Sequence, residues 1–394
     1  MRIVFVTSHL TQFNGFGKFL MDYCNIFFQE GHEITIVSQK INLKQYKFDE
    51  GISLIEVGGP LPKSFLFWVR FNQIKRKYIK LINHLNFDII ISLNFPVNYF
   101  CSKLKISRNC KHIYYCNEPY RYFYDKKFYS NAPLARKIAS FFLRLIFKKY
   151  DSQGVINADI VISNSNFTKK RVKKFYGVDS IVHYIGVENR EKISDLKNKS
   201  LVQILGLKKS NLFLFTLGLT HHLKGARELI MIFHEILDEF QNVILLIGGN
   251  IERTNKKVIK KLIKKYNIPA NKIITCGFIK EDLLNIFYSN SHLTLYTTID
   301  EAFGLIPLES MLNGTPVISF EGGPSETILD GQTGYVIKNS MSNDFARKTI
   351  KLMRDKNLLN KFSENAKKHV RNNFSYNKCV KNLETILQNI INKN

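Results

Sequence analysis

Glu301 and Glu309 lie eight positions apart on either side of a Phe-Gly turn, within the stretch DEAFGLIPLESMLNGTPVISFEGGPSETI of residues 300–328. The preceding run LTLYTT predicts a strand, IDEAFG the loop at its carboxyl end, and LIPLESMLN a helix. The first amides of such a helix, at Gly304, Leu305 and Ile306, have no partner within the helix and lie at the positive end of its dipole. We therefore expect an anion such as a diphosphate at this helix start, with a carboxylate on each side to accept bonds from sugar hydroxyls.

Bond energies separate this interpretation from a simpler one. A charge-assisted hydrogen bond to a carboxylate contributes about 1.5–3 kcal/mol, so two such groups could fix a sugar firmly. If Glu309 did no more than complement the helix dipole, it would contribute only about 0.3–1 kcal/mol. The simpler interpretation leaves Glu301 and the Phe-Gly turn without explanation, so we favour ligand binding.

Two other strand–helix loops contain glycines that could admit an anion. Gly15 and Gly17 precede a helix in SHLTQFNGFGKFLMDYCNIFFQEGHEITIV, although their spacing is not that of a dinucleotide-binding loop. Gly218 ends a predicted strand, and Lys224 comes just before the next helix, where its ammonium group could pair with a phosphate. Each loop also has a plain structural alternative, a tight turn for the glycines and a solvated side chain for the lysine.

These loops alternate with apolar runs that predict the strands of two parallel sheets. Five runs come before residue 200 and five after it: RIVFVTS, EITIVSQ, DIIISLN, HIYYCNE and DIVISNS, then LFLFTLG, NVILLIGG, KIITCGF, LTLYTT and TPVISF. Strands that alternate with helical segments form parallel sheets with helices on both faces, so we predict two doubly wound α/β domains. Ligands collect at the carboxyl ends of such strands, and we expect the active site in a cleft between the domains.

Composition restricts the setting in which the protein works. The 394 residues are 45% hydrophobic, enough for two sizeable cores, and six scattered cysteines argue against a disulfide framework or a zinc site. No apolar stretch reaches the roughly 18 residues of a membrane-spanning helix, and the first residues predict a strand rather than a signal peptide. We therefore expect a cytoplasmic protein that could lie on a membrane surface without crossing it.

Taken in order, the motifs resemble those of the retaining GT-B glycosyltransferases of family 4. EAFGLIPLE matches the Glu-x7-Glu signature, and GHEITIV, ADIVISNSNFTKKRVKKFYG, IGVE and GTPVISFEGGPSETILDGQTGYVI also follow the family pattern, over nearly the whole chain. The resemblance implies the GT-B fold of two Rossmann-like domains facing across a cleft, an acceptor-binding one at 1–190 and a nucleotide-sugar-binding one at 191–374. It also implies a terminal helix at 375–394 that returns to the first domain, and transfer of a hexose from a UDP- or GDP-linked sugar with retention at the anomeric carbon.

The resemblance assigns roles to residues of this sequence. Glu301 would contact the donor sugar, Glu309 the ribose hydroxyls and Lys224 the diphosphate. The backbone of several loops would complete the donor site, at Gly15, Gly17, Gly218, Ile279, Phe303, Gly304 and Leu305. Lys224 and the helix-end amides would stabilise the leaving diphosphate. Because the chain contains no Asp-x-Asp sequence, we expect neither a metal ion nor another cofactor.

Two positions depart from the family pattern. Relatives usually carry Arg directly after the glycine of the Gly218 loop, as a second cation for the diphosphate, where this chain has Leu219, with His221 and His222 nearby. In YYCNEPYRYFYD the family usually has His at the place of Asn117, close to the transferred sugar. An asparagine can hydrogen-bond a hydroxyl but cannot transfer a proton, so we expect Asn117 to bind substrate at the catalytic centre.

Part of the formal net charge of +26 is concentrated in residues 126–149, KKFYSNAPLARKIASFFLRLIFKK, which contain seven Lys or Arg. At 3.6 residues per turn, one arc of this predicted helix is apolar and consists of Leu134, Ile138, Phe141, Phe142, Leu145 and Ile146. Arg136, Lys137, Ser140 and Arg144 fall opposite. We expect Arg136, Lys137, Phe141 and Arg144 to contact an anionic membrane surface, and hence a lipid-linked or surface-glycan acceptor. The alternative is a helix packed on the core with a wet basic face, and we interpret the second basic cluster, NKKVIKKLIKKYNI, as such a solvated face.

Two other classes of function stay open at this point. A GT-B-like epimerase or hydrolase would act on the nucleotide sugar itself, and product analysis with and without acceptor would separate it from a transferase. A basic nucleic-acid-binding protein would shift plain DNA in a salt-dependent way. Since the chain has no recognised nucleic-acid motif and no basic repeat interleaved with aromatic residues, we expect no nucleic-acid partner.

Overall fold

The computed structural model describes residues 1–12, 14–105, 110–125, 134–188, 201–208, 210–338 and 341–392, without the side chains of residues 134–136, 139, 222, 281 and 282. The chain forms two compact units. The first consists of Met1–Ile185 together with Asn377–Asn394, and the second of Gly186–Tyr376.

The first unit is built on a parallel sheet of seven strands. The strands are β1 (Arg2–Val6), β2 (Glu33–Ser38), β3 (Ser53–Glu56), β4 (Ile89–Ser92), β5 (Lys111–Cys116), β6 (Ile160–Ser163) and β7 (Ile181–Val182). Their order is β3-β2-β1-β4-β5-β6-β7. In the central register Ile3 lies between Ile34 and Ile89, and such continuous apolar runs are typical of parallel strands that are covered on both faces.

The second unit is built on a parallel sheet of six strands. The strands are β8 (Leu212–Leu217), β9 (Val243–Gly248), β10 (Ile273–Gly277), β11 (Leu293–Tyr296), β12 (Val317–Phe320) and β13 (Gly334–Ile337). Their order is β10-β9-β8-β11-β12-β13. The loops that follow β8 and β11 therefore lie at the same edge of the sheet, because these two strands are parallel neighbours.

Helices connect these strands in both units. The described helices are α1 (Gly15–Gln29), α2 (Phe65–Val69), α3 (Phe71–Asn83), α4 (Val97–Cys101), α5 (Arg121–Tyr124), α6 (Leu134–Ile156), α7 (Asn166–Tyr176), α8 (Leu201–Leu205), α9 (Ala226–Glu239), α10 (Arg253–Lys265), α11 (Glu281–Ser289), α12 (Leu305–Leu312), α13 (Ser342–Arg354), α14 (Lys356–Asn373) and α15 (Tyr376–Asn392). As the periodicity predicts, α9 buries Leu229, Ile232, Phe233 and Ile236.

All ten strands expected from the apolar runs are present, and β3, β7 and β13 are additional. These three lie at the edges of their sheets. Edge strands need less apolar sequence, because one of their sides is not covered by another strand. The four residues of β3, for example, are all exposed or half-buried.

The last helix, α15, packs in the first unit. It buries Val380, Leu383 and Leu387, and the carbonyl of Cys379 accepts a 2.9 Å hydrogen bond from Nε2 of His183. Nδ1 of His183 accepts a 2.8 Å bond from the hydroxyl of Tyr115. The six cysteines are free thiols, as their scatter in the sequence predicts.

Candidate active site

The stretch that contains Glu301 and Glu309 folds as a strand, a loop and a helix in the second unit. After β11 and the loop, α12 begins at Leu305 with Gly304 as its N-cap, and the φ of that glycine, 95°, lies in the left-handed region. Asp300, next to Glu301, also has a positive φ of 54°, and strained backbone of this kind concentrates at binding sites. The predicted loop and helix are confirmed, so the first amides of α12 follow the glutamate loop directly.

The Gly-Gly-Pro turn of residues 322–324 packs against the loop that contains Glu301. The amide of Gly323 donates a 2.8 Å hydrogen bond to the carbonyl of Glu301. A Cβ at Gly323 would collide with the carbonyl of Ala302, and one at Gly322 would stand 3.0 Å from the carbonyl oxygen of Glu301. Phe303 is 3% exposed, so its backbone rather than its ring is the part that could face a ligand. Close backbone approach therefore explains why the motif continues past the helix into a glycine pair.

Lys224 comes from a different loop and contacts Glu301 directly. Its Nζ lies 2.9 Å from Oε2 of Glu301, and both side chains are only 17% exposed. Gly225 places this loop: its φ is 69°, and a Cβ there would collide with the carbonyl of Thr297. The hydroxyl of Thr297 in turn donates a 3.3 Å bond to the carbonyl of Lys224. The two charges predicted for the donor site therefore form a partly buried ion pair.

Tyr296 belongs to this cluster, although the sequence pattern did not single it out. Its hydroxyl donates a 2.7 Å hydrogen bond to Oε2 of Glu301, and the centre of its ring lies 5.9 Å from Nζ of Lys224. The residue is 3% exposed. A hydroxyl at the last position of the apolar strand β11, where parallel strands present groups to ligands, is the signal that could have identified it.

Glu309 has a tyrosine partner of its own. The hydroxyl of Tyr288, on α11, donates a 3.3 Å hydrogen bond to Oε2 of Glu309. Tyr288 is fully buried, and this burial, with the nearby charge of Glu309, raises the pKa of the hydroxyl well above its ordinary value. The hydroxyl therefore stays protonated and donating at neutral pH. Each glutamate of the pair is oriented by one tyrosine.

Gly218 and Ile279 lie at the carboxyl ends of β8 and β10. Gly218 has a φ of 82°, and a Cβ on it would lie 3.5 Å from Cδ1 of Ile306 on α12. Cδ1 of Ile279 would stand 2.7 Å from a Cβ on Gly248, at the end of β9. Both predicted residues are thus at the sheet edge that also holds Glu301. Their roles toward a ligand stay predictions.

Leu219, at the position where relatives usually carry a cation, belongs to the core. It is 1% exposed and packs in the main apolar cluster of the second unit. Its carbonyl accepts 3.0 Å bonds from the amide of Glu252 and the side chain of Asn255. Asn255 also donates a 2.9 Å bond to the carbonyl of His221. A second cation for a diphosphate would therefore have to come from another position.

In the first unit, Asn117 follows β5 at the carboxyl end of the sheet. Its carbonyl accepts a 3.5 Å bond from the hydroxyl of Thr168. Its side-chain Nδ2 is shielded from solvent, and in the part of the chain that the structure describes no acceptor lies within hydrogen-bond distance of it. The adjacent Glu118 is held by Arg121 at 2.6 Å and Arg171 at 3.3 Å. Asn117 therefore offers a buried amide donor beside a fixed carboxylate.

Gly15 and Gly17 form the first turn of α1. Oδ1 of the N-cap Asn14 accepts a 2.8 Å bond from the amide of Gly17. Gly15 is exposed, whereas Gly17 is buried, and a Cβ on Gly17 would collide with the ring of Tyr46. Packing against Tyr46 accounts for the glycine at position 17, and the place of both glycines in a donor site stays a prediction.

The basic helix predicted to lie on a membrane is α6. Phe141 is 49% exposed, Lys137 is exposed, and the guanidinium carbon of Arg144 lies 5.9 Å from the centre of the Phe141 ring. The side chain of Arg136 lies outside the described residues. Ser140, expected on the polar face opposite the apolar arc, is buried. This part of the polar face therefore packs on the protein although Lys137 is exposed, and the described side chains of the apolar arc are exposed to solvent. The lysine pairs of α10 are exposed, as expected of a solvated face.

Glu30, His32 and Glu384 are the one group of potential metal ligands among the described residues. Nε2 of His32 lies 3.0 Å from Oε1 of Glu384, and its Nδ1 lies 3.2 Å from the amine of Met1. These contacts explain why the three side chains lie together: they hold α15 in place within the first unit. The loops around Glu301 contribute no member to it.

Two family models match consecutive parts of the chain. Residues 13–188 match "Glycosyltransferase Family 4", and residues 197–369 match "Glycosyl transferases group 1". Over 351 residues the chain is 26% identical to the alpha-1,3/1,6-mannosyltransferase ALG2 of Dictyostelium discoideum, covering 81% of this chain and 79% of that protein.

Solved structures share the fold at low sequence identity. The sucrose-phosphate synthase of Thermosynechococcus elongatus has a TM-score of 0.81 at 14% identity, and the match covers 100% of this chain and 100% of that one. HepE of Anabaena, in complex with UDP-glucose, has a TM-score of 0.74 at 17% identity, over 99% of this chain and 100% of that one. Together with the Glu-x7-Glu loop and the two parallel sheets, these matches show that the chain belongs to the GT-B glycosyltransferases of family 4 and group 1 and is a glycosyltransferase.

Proposed function

We propose that this enzyme moves a hexose from a nucleotide-diphospho sugar to a lipid-linked or surface-glycan acceptor, with retention at the anomeric carbon. The observation that carries the proposal is the cluster at the start of α12. There a lysine, a glutamate and a tyrosine hydroxyl meet within hydrogen-bond distance, at 2.9 and 2.7 Å, beside amides that have no helical partner. This combination of cation, amide donors and carboxylate acceptor can bind a diphosphate and the sugar attached to it.

The donor would lie along the carboxyl edge of the second sheet. Its diphosphate would accept bonds from the first amides of α12, at Gly304 and Leu305, and from Lys224. Glu301 would accept bonds from the sugar hydroxyls and Glu309 from those of the ribose. The base would lie by the backbone of Ile279, the backbone of Phe303 would donate to the sugar and the phosphates, and Gly218 would leave room for them. In the first unit, Gly15 and Gly17 are proposed to allow close approach of a phosphate at the start of α1.

When the donor binds, its diphosphate would replace Glu301 as the partner of Lys224. Lys224 neutralises Glu301 at 2.9 Å, and a diphosphate would compete for the ammonium group. Tyr296 would keep Glu301 in place while this exchange occurs, because its 2.7 Å bond goes to the carboxylate and not to the lysine. Tyr288 would do the same for Glu309. The tyrosines are thus proposed as positioning residues.

Catalysis would come from stabilisation of the leaving group. Lys224 and the first amides of α12 would stabilise the negative charge that grows on the diphosphate as the sugar–phosphate bond breaks. None of the residues assigned to the site serves as a protein nucleophile, so we propose that the acceptor attacks on the face from which the diphosphate leaves. The cation and the amides together supply the positive charge, and we propose that the reaction needs no metal ion.

Asn117 is proposed to bind a substrate hydroxyl. A buried amide donor that lacks an acceptor costs about 1–3 kcal/mol. A hydroxyl oxygen of the substrate would satisfy Nδ2 and offset this cost. Asparagine cannot take up a proton, so the role is binding rather than proton transfer.

The acceptor is proposed to be membrane-associated and the enzyme to work at the cytoplasmic face of an anionic membrane. The outward apolar arc of α6 and its cationic neighbours support this. The name of the Dictyostelium relative, a mannosyltransferase, supports a hexose as the transferred group.

A thermal-shift panel of nucleotides and nucleotide sugars tests the proposal, because a ligand that binds the folded state raises the apparent stability by mass action. We expect one base to raise the melting temperature, and the shift to vanish in the Glu309→Ala variant. The proposal would be overturned if no UDP- or GDP-linked sugar raised the melting temperature.

Two further measurements test the reaction itself. The anomeric configuration of the product, determined by NMR, tests retention. Product analysis without acceptor distinguishes transfer from epimerase or hydrolase activity.

A further inference from the structure

We infer that α2 and α6 together form one surface that inserts into the headgroup region of an anionic lipid bilayer. The inference rests on the proposed function for its purpose, which is to bring the enzyme to a lipid-linked acceptor. It adds a second helix, α2, which no motif of the sequence points to.

The first half of the surface is the apolar arc of α6. Five large apolar side chains there are 49–64% exposed: Ile138, Phe141, Phe142, Leu145 and Ile146. The opposite arc of the same helix, with Phe147 at 7% and Asp151 fully buried, packs on the core of the first unit. The helix therefore turns its more apolar face away from the protein, the reverse of an ordinary amphipathic surface helix.

The second half is the short helix α2, of sequence FLFWV. Phe65 is 83% exposed, Leu66 43% and Val69 64%. Phe67 is fully buried, and the indole of Trp68 donates a 3.0 Å bond to the carbonyl of Pro62. These two residues fix the helix to the protein, and its other apolar side chains are left in water.

The two helices contact each other through aromatic rings. The ring centres of Trp68 on α2 and Phe147 on α6 are 4.8 Å apart, and Phe71, which follows α2, also lies 4.8 Å from Phe147. The exposed faces of both helices therefore border one ring cluster. Eight exposed large apolar side chains on two touching helices exceed the scattered apolar residues that a soluble surface normally shows.

Cations around these side chains indicate what covers them. Lys63 and Arg70 flank α2, and Lys137, Lys148 and Lys149 are exposed on α6. A second copy of this chain would set the same cations against each other, in a protein with a formal net charge of +26. Anionic lipid headgroups would pair with them instead while the apolar side chains enter the acyl boundary. None of the described helices is long and apolar enough to cross a bilayer, which fits a surface that rests on one leaflet.

Flotation with vesicles tests the surface on the full chain. We expect binding to a two-to-one mixture of phosphatidylcholine and phosphatidylglycerol, and little binding to phosphatidylcholine alone. Phe65→Ser and Phe142→Ser should each weaken the vesicle partition coefficient by about tenfold, since each removes a large inserted side chain. Leu43→Ser is the matched control, because Leu43 is 60% exposed in the same unit but lies outside α2 and α6. Its partition coefficient should not change.

Charge is tested in parallel. The double variant Lys148→Gln, Lys149→Gln should weaken binding to anionic vesicles by roughly 30-fold at low salt, because each of the two cations contributes about 1 kcal/mol near an anionic surface. The matched control replaces Lys260 and Lys261 on α10 in the same way and should bind as the unchanged protein does. If both double variants lost the same amount of vesicle binding, net charge alone would drive binding and the inferred membrane surface would be refuted.

Other outcomes separate this inference from the proposed function. If the chain binds nucleotide sugars but no vesicles, the surface is refuted while the donor site stands. If it binds vesicles with the expected variant pattern but no nucleotide sugar, the surface stands and the proposed function fails. A dimer in sedimentation that Phe142→Ser dissociates, without vesicle binding, would assign the surface to a second copy and refute the lipid partner.

Discussion

Replacing Tyr296 by phenylalanine removes one atom from the centre of the proposed site. The ring, 3% exposed, keeps its packing, and Lys224 keeps its 2.9 Å contact with Oε2 of Glu301. What is lost is the 2.7 Å hydrogen bond from the hydroxyl to the same oxygen. The variant therefore asks whether the position of this carboxylate matters to the sugar of the donor.

The expected loss follows from the type of bond. A hydrogen bond to a charged group contributes about 1.5–3 kcal/mol, which corresponds to roughly 10- to 150-fold in affinity. Because Lys224 still holds the same oxygen, we expect the lower end, about tenfold. This loss should fall on the intact nucleotide sugar, since Glu301 is assigned to the sugar, and should spare the nucleoside diphosphate.

Isothermal titration calorimetry with both ligands measures the difference. Tyr288→Phe is the matched control, because it removes the same atom from the partner of Glu309, which is assigned to the ribose. That variant should weaken the nucleoside diphosphate and the nucleotide sugar by the same factor, about fivefold for a 3.3 Å bond. The two variants should thus differ: Tyr296→Phe weakens only the nucleotide sugar, whereas Tyr288→Phe weakens both ligands.

Two results would refute the reasoning about Tyr296. If Tyr296→Phe weakened the nucleoside diphosphate as much as the nucleotide sugar, Glu301 would not be the group that holds the sugar. Unchanged affinity for both ligands, with an unchanged melting temperature, would show that the hydroxyl does not orient the carboxylate at all.

Three further predictions concern other parts of the chain. Lys224→Met should weaken nucleoside diphosphate binding by about tenfold or more in calorimetry, while nucleoside binding stays the same; equal effects on both would remove its role at the diphosphate. Gly323→Ala should lower the free energy of unfolding by about 1–3 kcal/mol and abolish the donor-induced thermal shift, because its methyl group displaces Ala302; an unaltered shift would contradict the positioning role. Burial lowers the pKa of His183 from 6.5 to about 4, so the unfolded chain takes up this proton first and stability falls as the pH drops from 6.5 towards 4, by about 3 kcal/mol. His183→Gln should reduce the slope of unfolding free energy against pH in urea denaturation over that window, with the exposed His84→Gln as control; an unchanged slope would show that His183 does not titrate this way.

Much of the fold could be predicted because buried parallel strands consist of continuous runs of apolar residues, which are visible in the sequence. Ten of the strands have such runs, and the helix that begins at Leu305 has a stop signal at Gly314, directly after its C-cap Asn313. The edge strand β7 could not be predicted, because its two residues, Ile181 and Val182, are too few to form a pattern. Edge strands also need no apolar residue on their uncovered side.

The site was predictable in its backbone but less so in its contacts. The Glu-x7-Glu motif places Glu301 and the start of α12, since those are local in sequence. The contact between Glu301 and Lys224 joins residues 77 positions apart, and it arises because β8 and β11 are neighbours in the sheet. A hydrophobic periodicity likewise cannot tell which arc of α6 faces the protein. That choice is made by Ser140 and Phe147, which fit the core although one of them is polar.

The first unit is assembled from two stretches of chain that are separated by the whole of the second. On the ribosome, residues Gly186–Ser375, nearly the whole of the second unit, emerge before α15 does. The second unit can therefore complete its sheet early, while the first still lacks the helix that covers His183 and buries Leu383. Until α15 has been synthesised, the side chains that it covers in the first unit stay exposed to water, so the first unit is the last part of the molecule to complete its core.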